Sequence, residues 1–458
     1  MRLSSFRGVG ECGLAAAALL VFAGVAQAQQ KTGPAPTFTK DVAPIFQEKC
    51  ESCHRPDSIA PMSLRTYEEA RPWAKSIRTR VAARQMPPWH IDKGVGIQQF
   101  KYDRSLSDAQ LDTIVRWIDA GAPKGDPKDM PPAKDWGNEQ AWNLAQLFGQ
   151  TEPDLIVRST PYTVTARGQD SWWKPQVDIG LTEPRWVRAI EIRPNTIKGR
   201  RVTHHSVAYL QQDEKDSPAA SAVPAQPGGG FGVGGAFMEW AVGKQGEIMR
   251  PESGKLLLPG SKINWDIHYS TAGEEVTTFV EMGIYLYPKG QEPKYRQNLM
   301  LFAAALGEMD IQPNSISVSQ GNTVMRSAGR IESFQAHMHL RGKAMSMEAI
   351  LPNGQTQVLS HVKDYSFNWH NNYVYADDVA PLLPKGTLLK ITAWHDNTTA
   401  NKSNPDPEQW VGWGDRTIDE MAHAWINVTY MSDEDFKLEV EKRKASEAKA
   451  TPASAPQN

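Results

Sequence analysis

Residues 50–54 read Cys50-Glu51-Ser52-Cys53-His54, a C-x-x-C-H box. In this pattern two thiols attach a haem covalently, and the adjacent histidine becomes a ligand of the haem iron. The box therefore predicts a covalent haem c held by Cys50, Cys53 and His54.

A c-type haem on an electron carrier usually has a sixth iron ligand, and a methionine in that position raises the reduction potential. We favour Met86, because Pro87 and Pro88 follow it and stiffen the loop that would present its thioether. Met62 and His90 are the alternatives.

The residues around the box have helical patterns. Phe38–Glu48 leads into the box, Tyr67–Arg84 follows it, and Ser107–Gln110 forms a capping box before a third helix. In that third helix apolar residues recur at i, i+3, i+4 and i+7. Three helices around a C-x-x-C-H box resemble a class I cytochrome c, so we expect a small all-α cytochrome c domain over residues 36–125.

The N-terminus has the features of a secretory signal. Two arginines precede the apolar run Leu14–Ala26, and Ala26-Gln27-Ala28 is a typical cleavage site. We therefore expect residues 1–28 to be a signal peptide and the mature chain to be periplasmic or secreted in a bacterium. The apolar run is shorter than the ~20 residues that span a bilayer. No later stretch of the sequence is long enough and apolar enough to span a bilayer, so we expect no stable membrane insertion.

The charge balance excludes some classes of partner. Without residues 1–28 the chain has 48 basic and 51 acidic residues, which gives a net charge of −3. A nearly neutral chain of this kind argues against a nucleic-acid partner. Its length favours about three domains.

Beyond residue 125 the character of the sequence changes. Residues 126–150 are rich in Pro, Lys and Asp, and we expect a linker there. Later residues form short apolar runs between turns, which favour antiparallel β-sandwiches. The runs are Trp186–Ile192, Ser206–Leu210, Ile263–Tyr269, Thr278–Tyr287, Met345–Leu351 and Leu388–Trp394. We predict two all-β, jelly-roll-like sandwiches over residues 151–300 and 301–435, followed by a disordered tail over residues 436–458.

Several histidines of this β region occur in groups. His204 and His205 are adjacent, His268 follows an apolar run, and His337-Met338-His339 is an H-x-H pattern. Because side chains of a strand alternate between its faces, both rings of the H-x-H pattern would lie on one face and suit one ion. Imidazole suits copper, zinc, iron or nickel, and a thioether shifts the preference toward copper.

The order of these groups, with Asp419-Glu420-Met421 after them, resembles the copper type II, ascorbate-dependent monooxygenases. The resemblance covers about Asp154 to Met431. It implies two copper ions. His204, His205 and His268 would hold the electron-transfer copper, whereas His337, His339 and Met421 would hold the copper that binds O₂ and form the catalytic site.

The resemblance leads to further expectations. Adjacent residues of a regular strand face opposite ways, so His204 and His205 can share an ion only if the strand bulges there. Asp266 is a candidate to orient His268.

The residues that hold a peptide carboxylate in the peptidylglycine enzyme are replaced here by Gln335, His423 and Trp425. We therefore expect a less charged substrate in a pocket lined by Trp425. His423 is either a ligand or a structural histidine, and the remaining histidines are expected to be structural: His361, His370 and His395.

Together these features predict a monooxygenase that hydroxylates an aliphatic or benzylic C–H bond of a small molecule with O₂. A periplasmic donor would reduce the haem, and the haem would feed electrons to the copper sites. The alternative is a non-enzymatic c-type cytochrome with a β module that holds copper or docks a partner. A carbohydrate-binding sandwich fused to a cytochrome is a third interpretation.

Overall fold

The computed structural model describes residues 33–56, 58–136, 141–222, 235–244, 246–305 and 307–450. The predicted signal peptide and residues 451–458 lie outside the described residues. The chain divides into two compact units, residues 1–35 and 36–458, and the features below belong to the second. In the part of the chain that the structure describes, no helix is both long enough and apolar enough to cross a membrane.

Helices come first in the described chain. They are α1 (Ala43–Lys49), which continues a π-helical turn at Phe38–Val42, α2 (Tyr67–Ala70), α3 (Ala74–Ala82) and α4 (Asp108–Asp119). The predicted capping box is present: Ser107 accepts from the backbone of Gln110, whose side chain in turn accepts from Ser107. Phe38, Phe46, Ile114 and Trp117 are almost completely buried together. The helices therefore enclose an apolar core of their own.

Strands make up most of the remaining chain. The first group comprises β1 (Leu155–Arg158), β2 (Tyr162–Val164), β3 (Ser171–Trp173), β4 (Gln176–Asp178), β5 (Arg185–Pro194), β6 (Thr203–Gln211), β7 (Gly235–Ala241), β8 (Glu247–Ile248), β9 (Ser253–Leu257), β10 (Lys262–Tyr269), β11 (Val276–Thr278) and β12 (Val280–Leu286). Sheet β1-β12-β5-β9 and sheet β3-β10-β6-β7 enclose a core that contains Ile190, Met282 and Ile267. The helices α5 (Ile197–Val202) and α6 (Pro218–Ala222) connect strands of this first sandwich.

The second group of strands comprises β13 (Tyr295–Ala303), β14 (Ile316–Val324), β15 (Ala328–Ile331), β16 (Ser333–His337), β17 (Gly342–Ile350), β18 (Thr356–Val362), β19 (Tyr373–Val374), β20 (Leu382–Leu383), β21 (Leu388–Asp396) and β22 (His423–Met431). Sheet β14-β21-β17-β18 packs on the sheet that contains β22, β15 and β16, with Met347, Ile391 and Ile426 in the core between them. The predicted β-sandwich architecture is thus confirmed.

The two sandwiches share a sheet. Strand β13 pairs antiparallel with β22 of the second sandwich and parallel with β9 of the first, where Tyr295 is opposite Ser253. Val207 of β6, Leu299 of β13 and Trp425 of β22 form a small buried cluster. This arrangement brings β6 and β16, which carry the predicted ligands, to the same region of the molecule.

Two expectations differ from the structure. The tail predicted to be disordered from residue 436 forms helix α7 (Asp433–Ala450) up to residue 450, because Ser432 caps it and Phe436 packs on the second sandwich. The expected linker is also partly ordered. Trp142 and Leu144 are buried against the first sandwich, and Glu191 accepts one hydrogen bond each from the backbone N–H groups of Asn143 and Leu144.

Candidate metal centre

A bulge in β6 brings His204 and His205 to one side of the strand. Opposite β10, His205 pairs with His268 and Thr203 pairs with Tyr269, so His204 is an extra residue in the ladder. The Nδ1 atoms of His204 and His205 lie 3.1 Å apart. The predicted bulge is therefore confirmed.

His268 completes a triad with this pair. Among the described residues, His204, His205 and His268 are the group of three whose potential ligand atoms all lie within 4.8 Å of one another. Two imidazoles on one ion have ring centres about 5 Å apart when the metal–nitrogen bonds are about 2.0 Å. The ring centroids here are separated by 5.0–5.4 Å. The triad can therefore hold a metal ion.

Asp170, and not Asp266 as expected, orients His268. The Nε2 atom of His268 lies 2.9 Å from the carboxylate of Asp170, which also accepts from the Thr417 hydroxyl. The hydrogen bond with His268 lowers the pKa of Asp170 to about 2. Because a carboxylate can only accept, the proton is on Nε2, and the buried Nδ1 of His268 keeps a lone pair with no partner in the described structure. Asp266 instead pairs with Lys174 at 2.9 Å.

The H-x-H pattern is placed by a buried carboxylate. His337 is the last residue of β16, and His339 lies in the turn that leads to β17 rather than on the predicted strand. Glu420 is completely buried, and it accepts from the backbone N–H of His339 at 2.9 Å and of Arg341 at 2.5 Å. The His337 and His339 rings remain neighbours, with centroids 5.6 Å apart.

His339 also has a defined tautomer. Its Nδ1 lies 3.1 Å from the carbonyl oxygen of Asp419, so Nδ1 carries the proton and Nε2 keeps its lone pair. Asp419 and Glu420 therefore hold the ring and the backbone of His339, and the next residue, Met421, lines the same cavity.

A single cavity of about 250 Å³ joins the two histidine sets. His205 of the triad lines it together with His337, His339 and Met421. Its aromatic and apolar walls are formed by Trp172, Val207, Tyr209, Leu301, Trp413 and Trp425. The structure thus brings together the predicted second set, and Trp425 lies in the pocket as expected.

Two further histidines belong to this cluster. His423, whose role the sequence left open, stacks on His337 at a centroid distance of 4.4 Å, and both of its ring nitrogens are buried without a partner in the described structure. His370, expected to be structural, lies 4.8 Å from His337 and 5.4 Å from His204 by ring centroids. Its position in an irregular loop gave no periodic signal that could have revealed it.

The other two histidines with expected structural roles do not line the cavity. His361 lies 3.6 Å from Asp92, and His395 is buried next to Glu420, with Nε2 at 3.2 Å from the Met421 carbonyl.

Burial keeps the clustered imidazoles neutral. It lowers the pKa of His204 and that of His423 to about 3 each. It lowers the pKa values of His205, His337 and His370 well below that of a free imidazole. Neutral imidazole is the form that binds metals, so these five imidazoles are in their metal-binding state at neutral pH.

The C-x-x-C-H box forms a tight turn directly after α1. The backbone N–H groups of Cys53 and His54 both donate to the Cys50 carbonyl, at 3.1 and 2.9 Å. His54 Nδ1 lies 3.2 Å from the carbonyl of Met62, which leaves the lone pair on Nε2. This is the arrangement a histidine needs to bind an iron through Nε2. The haem itself stays a prediction.

A cleft next to Cys53 separates the helices from the first sandwich. Trp240 of β7 lies in its wall, and the cleft is lined by five cationic side chains: Arg55, Arg104, Arg193, Arg200 and Lys244. Half-buried Met86 precedes the segment that contacts the second sandwich, where His90 donates its backbone N–H to Tyr373. Met86, Met62 and His90 stay alternatives for the distal ligand, although the Met62 carbonyl is already bonded to His54.

No protein-family model matches the chain, and no curated protein matches it either. Some solved structures of infectious bursal disease virus are weakly similar. One from the T13 IBDV viral particle has 10% identity, covers 61% of this chain and 71% of that chain, and has a TM-score of 0.18. Another, the VP2 subviral particle, has 12% identity, covers 63% of this chain and 78% of that chain, and has a TM-score of 0.17. Similarities at this level carry no information on the fold or function.

Proposed function

We propose that the chain is an exported haem- and copper-dependent monooxygenase that hydroxylates a C–H bond of a small organic substrate with O₂. The observation that carries this proposal is the meeting of two histidine sets, one from each sandwich, around one aromatic cavity. The order of the ligands resembles the copper type II, ascorbate-dependent monooxygenases, and this resemblance provides the reaction class.

The donor sets suit copper. His204, His205 and His268 would hold one ion, and His337, His339 and Met421 would hold the other. Copper at these sites would supply one-electron redox chemistry and the reduction of O₂, and a thioether ligand favours its Cu(I) state. The buried, unpartnered nitrogens of His268 and His337 support this assignment, because a buried polar atom without a hydrogen bond is costly unless something binds it.

The reaction needs electrons as well as substrate. Hydroxylation consumes R–H, O₂, two electrons and two protons, and it gives R–OH and water. A haem c attached to Cys50 and Cys53, with His54 as ligand, would supply the electrons one at a time. A periplasmic redox protein is the donor class that would reduce it.

The cleft next to Cys53 supports this role. Its lining includes Arg55, Arg104 and Arg200, whose guanidinium groups suit the two propionate carboxylates of a haem. Arg193 and Lys244 pair with Glu281 and Glu247. Trp240 in the wall of the cleft is followed by Ala241, which pairs with His205 across β7 and β6. The cleft and the triad are thus connected through one pair of hydrogen-bonded strands, which offers a short electron route.

The cavity favours an uncharged or weakly charged substrate. Trp172, Trp413 and Trp425 supply apolar contact surface. Of the three charged residues in the lining, Lys174 pairs with Asp266 at 2.9 Å and lies 3.9 Å from Asp415. Gln335, at the position of the peptide enzyme's arginine, donates to the buried Glu239 at 2.6 Å. We therefore propose an aliphatic or benzylic substrate rather than a peptide with a C-terminal glycine.

Copper content and haem reoxidation test the proposal together. We expect about two copper ions per haem, and we expect O₂ plus substrate to reoxidise the reduced haem quickly. In His337→Ala this reoxidation should collapse, whereas His361→Ala, which removes a histidine that does not line the cavity, should behave like the wild type. Absence of copper would support the non-enzymatic cytochrome, and unchanged reoxidation in His337→Ala would reject the coupling between haem and cavity.

A further inference from the structure

A loop over residues 412–420, directly before β22, forms part of the cavity wall through Trp413. The backbone N–H of Gly414 donates to the Glu420 carbonyl at 3.1 Å, and the backbone N–H of Glu420 donates to the Gly412 carbonyl at 3.2 Å. The two ends of the loop are therefore hydrogen-bonded to each other.

The turn at the far end of this loop is held by the second sandwich. The guanidinium group of Arg416 donates to both carboxylate oxygens of Asp419, at 2.9 and 2.6 Å. Buried Arg341 donates to the backbone carbonyl of Ile418 at 2.9 Å. Thr417 lies between these residues in the chain, so its backbone position is fixed from both sides.

Thr417 bonds across to the first sandwich. Its hydroxyl donates to Oδ2 of Asp170 at 2.6 Å, and Nε2 of His268 lies 2.9 Å from the same oxygen. A carboxylate oxygen has two lone pairs, so these two donors together saturate Oδ2. The contact between the sandwiches and the contact with the triad therefore share one atom.

The position of Asp170 makes this contact important. Asp170 lies in the connection between β2 and β3, and its side chain is 26% exposed. Ser270 bonds to its carboxylate from the first sandwich, and Thr417 adds the bond from the second. Each added donor restricts the rotamers that the carboxylate can adopt. A fixed carboxylate in turn fixes the His268 ring, whose Nδ1 carries the lone pair for an ion.

The same loop also contacts the second histidine set. The carbonyl oxygen of Asp419 lies 3.1 Å from Nδ1 of His339. One loop thus orients a ring of the second set directly and a ring of the triad through Asp170, and it also carries Trp413 in the wall of the cavity between them.

We propose that Thr417 is a positioning residue for the triad, which holds the Asp170 carboxylate in the orientation that aims His268 at the metal ion. Copper binding at the triad and ordering of the 412–420 loop are then coupled, because both stabilise the same hydrogen bonds. This inference rests on the metal binding proposed for the triad, but it does not depend on the hydroxylation reaction.

The test compares Thr417→Val with Thr417→Ser in the full haem-loaded protein, using copper alone as the probe. Valine keeps the shape of threonine without the hydroxyl, whereas serine keeps the hydroxyl. In Thr417→Val we expect the affinity of one copper ion to fall by about three- to tenfold, because Asp170 remains but is less constrained. Thr417→Ser should bind copper like the wild type.

Thr398→Val is the matched control. The Thr398 hydroxyl donates to Asp396 at 2.7 Å within the second sandwich, in a half-buried loop like that of Thr417. This variant loses the same kind of hydrogen bond, but neither residue bonds to a histidine of the two sets. Its copper affinity should equal that of the wild type.

Amide hydrogen exchange distinguishes positioning from a merely structural role. Copper should slow exchange in the 412–420 loop of the wild type and of Thr417→Ser, because binding at the triad and loop order are coupled. In Thr417→Val this effect of copper on the loop should disappear. A structural role alone predicts faster exchange in the copper-free variant, with the effect of copper retained.

Wild-type copper affinity and wild-type protection of the loop by copper in Thr417→Val overturn the proposal. An equal loss of affinity in Thr417→Ser or in Thr398→Val also overturns it, because the hydroxyl bonded to Asp170 would then not be the cause. Unchanged affinity together with substrate hydroxylation rejects the positioning role and leaves the proposed function intact. The expected loss in a protein that hydroxylates no substrate supports the positioning role and rejects the function. If the wild type binds no copper, both proposals are wrong.

Discussion

The rings of His205 and His337 lie nearly perpendicular to each other, with centroids 5.4 Å apart. His205 belongs to β6 of the first sandwich, and His337 ends β16 of the second. Each histidine set belongs to one sandwich, but the cavity that His205 and His337 both line exists only when the sandwiches are docked. Turnover should therefore report on the contact between them.

Replacing Leu299 tests this dependence. Leu299 of β13 packs with Val207 and Trp425, which line the cavity, so Leu299→Ala should cost about 2–5 kcal/mol and also slow the reoxidation of reduced haem by O₂ plus substrate, with both copper ions retained. Leu389→Ala should cost a similar amount in the core of the second sandwich while leaving that rate unchanged. The measurements are urea unfolding, copper content and haem reoxidation of both variants. Equal reoxidation rates in the two variants would contradict the prediction.

Asp170 should support the triad through His268. Asp170→Ala removes the acceptor that holds the proton on Nε2 of His268, and we expect the copper affinity of the triad to fall by about 10–100-fold. Asp266→Asn is the matched control, because Asp266 pairs with Lys174 instead. Competition with a copper chelator measures both affinities. A larger effect from Asp266→Asn would show that the sequence-based choice was right.

Buried His423 should lower the stability of the copper-free protein in acid. Burial lowers its pKa to about 3, whereas an unfolded chain binds the proton near pH 6.5. Between these values the unfolded state holds more protons, so the free energy of unfolding falls as the pH falls. His423 alone should contribute about 1.4 kcal/mol per pH unit in this window.

Urea unfolding of the copper-free protein at several pH values measures this dependence. His423→Gln should have a shallower slope than the wild type between pH 4 and 6. Parallel curves for the two proteins would mean that His423 already carries a proton in the folded state.

Met86 should set the reduction potential of the haem. If its thioether is the distal ligand, Met86→Ala lowers the potential and removes the spectral features of methionine ligation. Met62→Leu and His90→Gln should leave both unchanged, because the His54 ring bonds to the backbone of Met62, which places Met62 beside the proximal histidine, and the backbone of His90 is bonded to Tyr373 of the second sandwich. Redox titration and absorption spectra compare the three variants. An effect confined to His90→Gln would assign the ligand to that residue.

The sequence predicts secondary structure correctly where one local pattern, such as a capping box or an apolar run, dominates. The Ser107 capping box and the apolar spacing after it predicted α4, and apolar runs such as Ile263–Tyr269 predicted strands. The bulge at His204 followed from requiring two neighbouring rings to share an ion. These features depend on residues a few positions apart, which is why the sequence reveals them.

Contacts between residues that are far apart in the sequence could not be predicted in this way. His370 and Asp170 reach the centre from loops and edges whose positions depend on how the sheets pack. Asp266 lies two residues before His268 and on the same face of β10, but its carboxylate pairs with Lys174, whereas Asp170 reaches Nε2 of His268 from outside the strand. The helix at Asp433–Ala450 was missed because its stability comes from contacts with the second sandwich, such as that of Phe436.

The parallel pairing of β9 with β13 has a mechanical consequence. Strand β9, which contains Ser253, pairs with strand β13, which contains Tyr295, so the two sandwiches are parts of one continuous sheet. They therefore cannot move apart as two domains connected by a hinge would. Any opening that admits a substrate must therefore come from the loops around the cavity, such as the one that carries Trp413. The distance between the two histidine sets should then stay constant during turnover, while the loops around the cavity move.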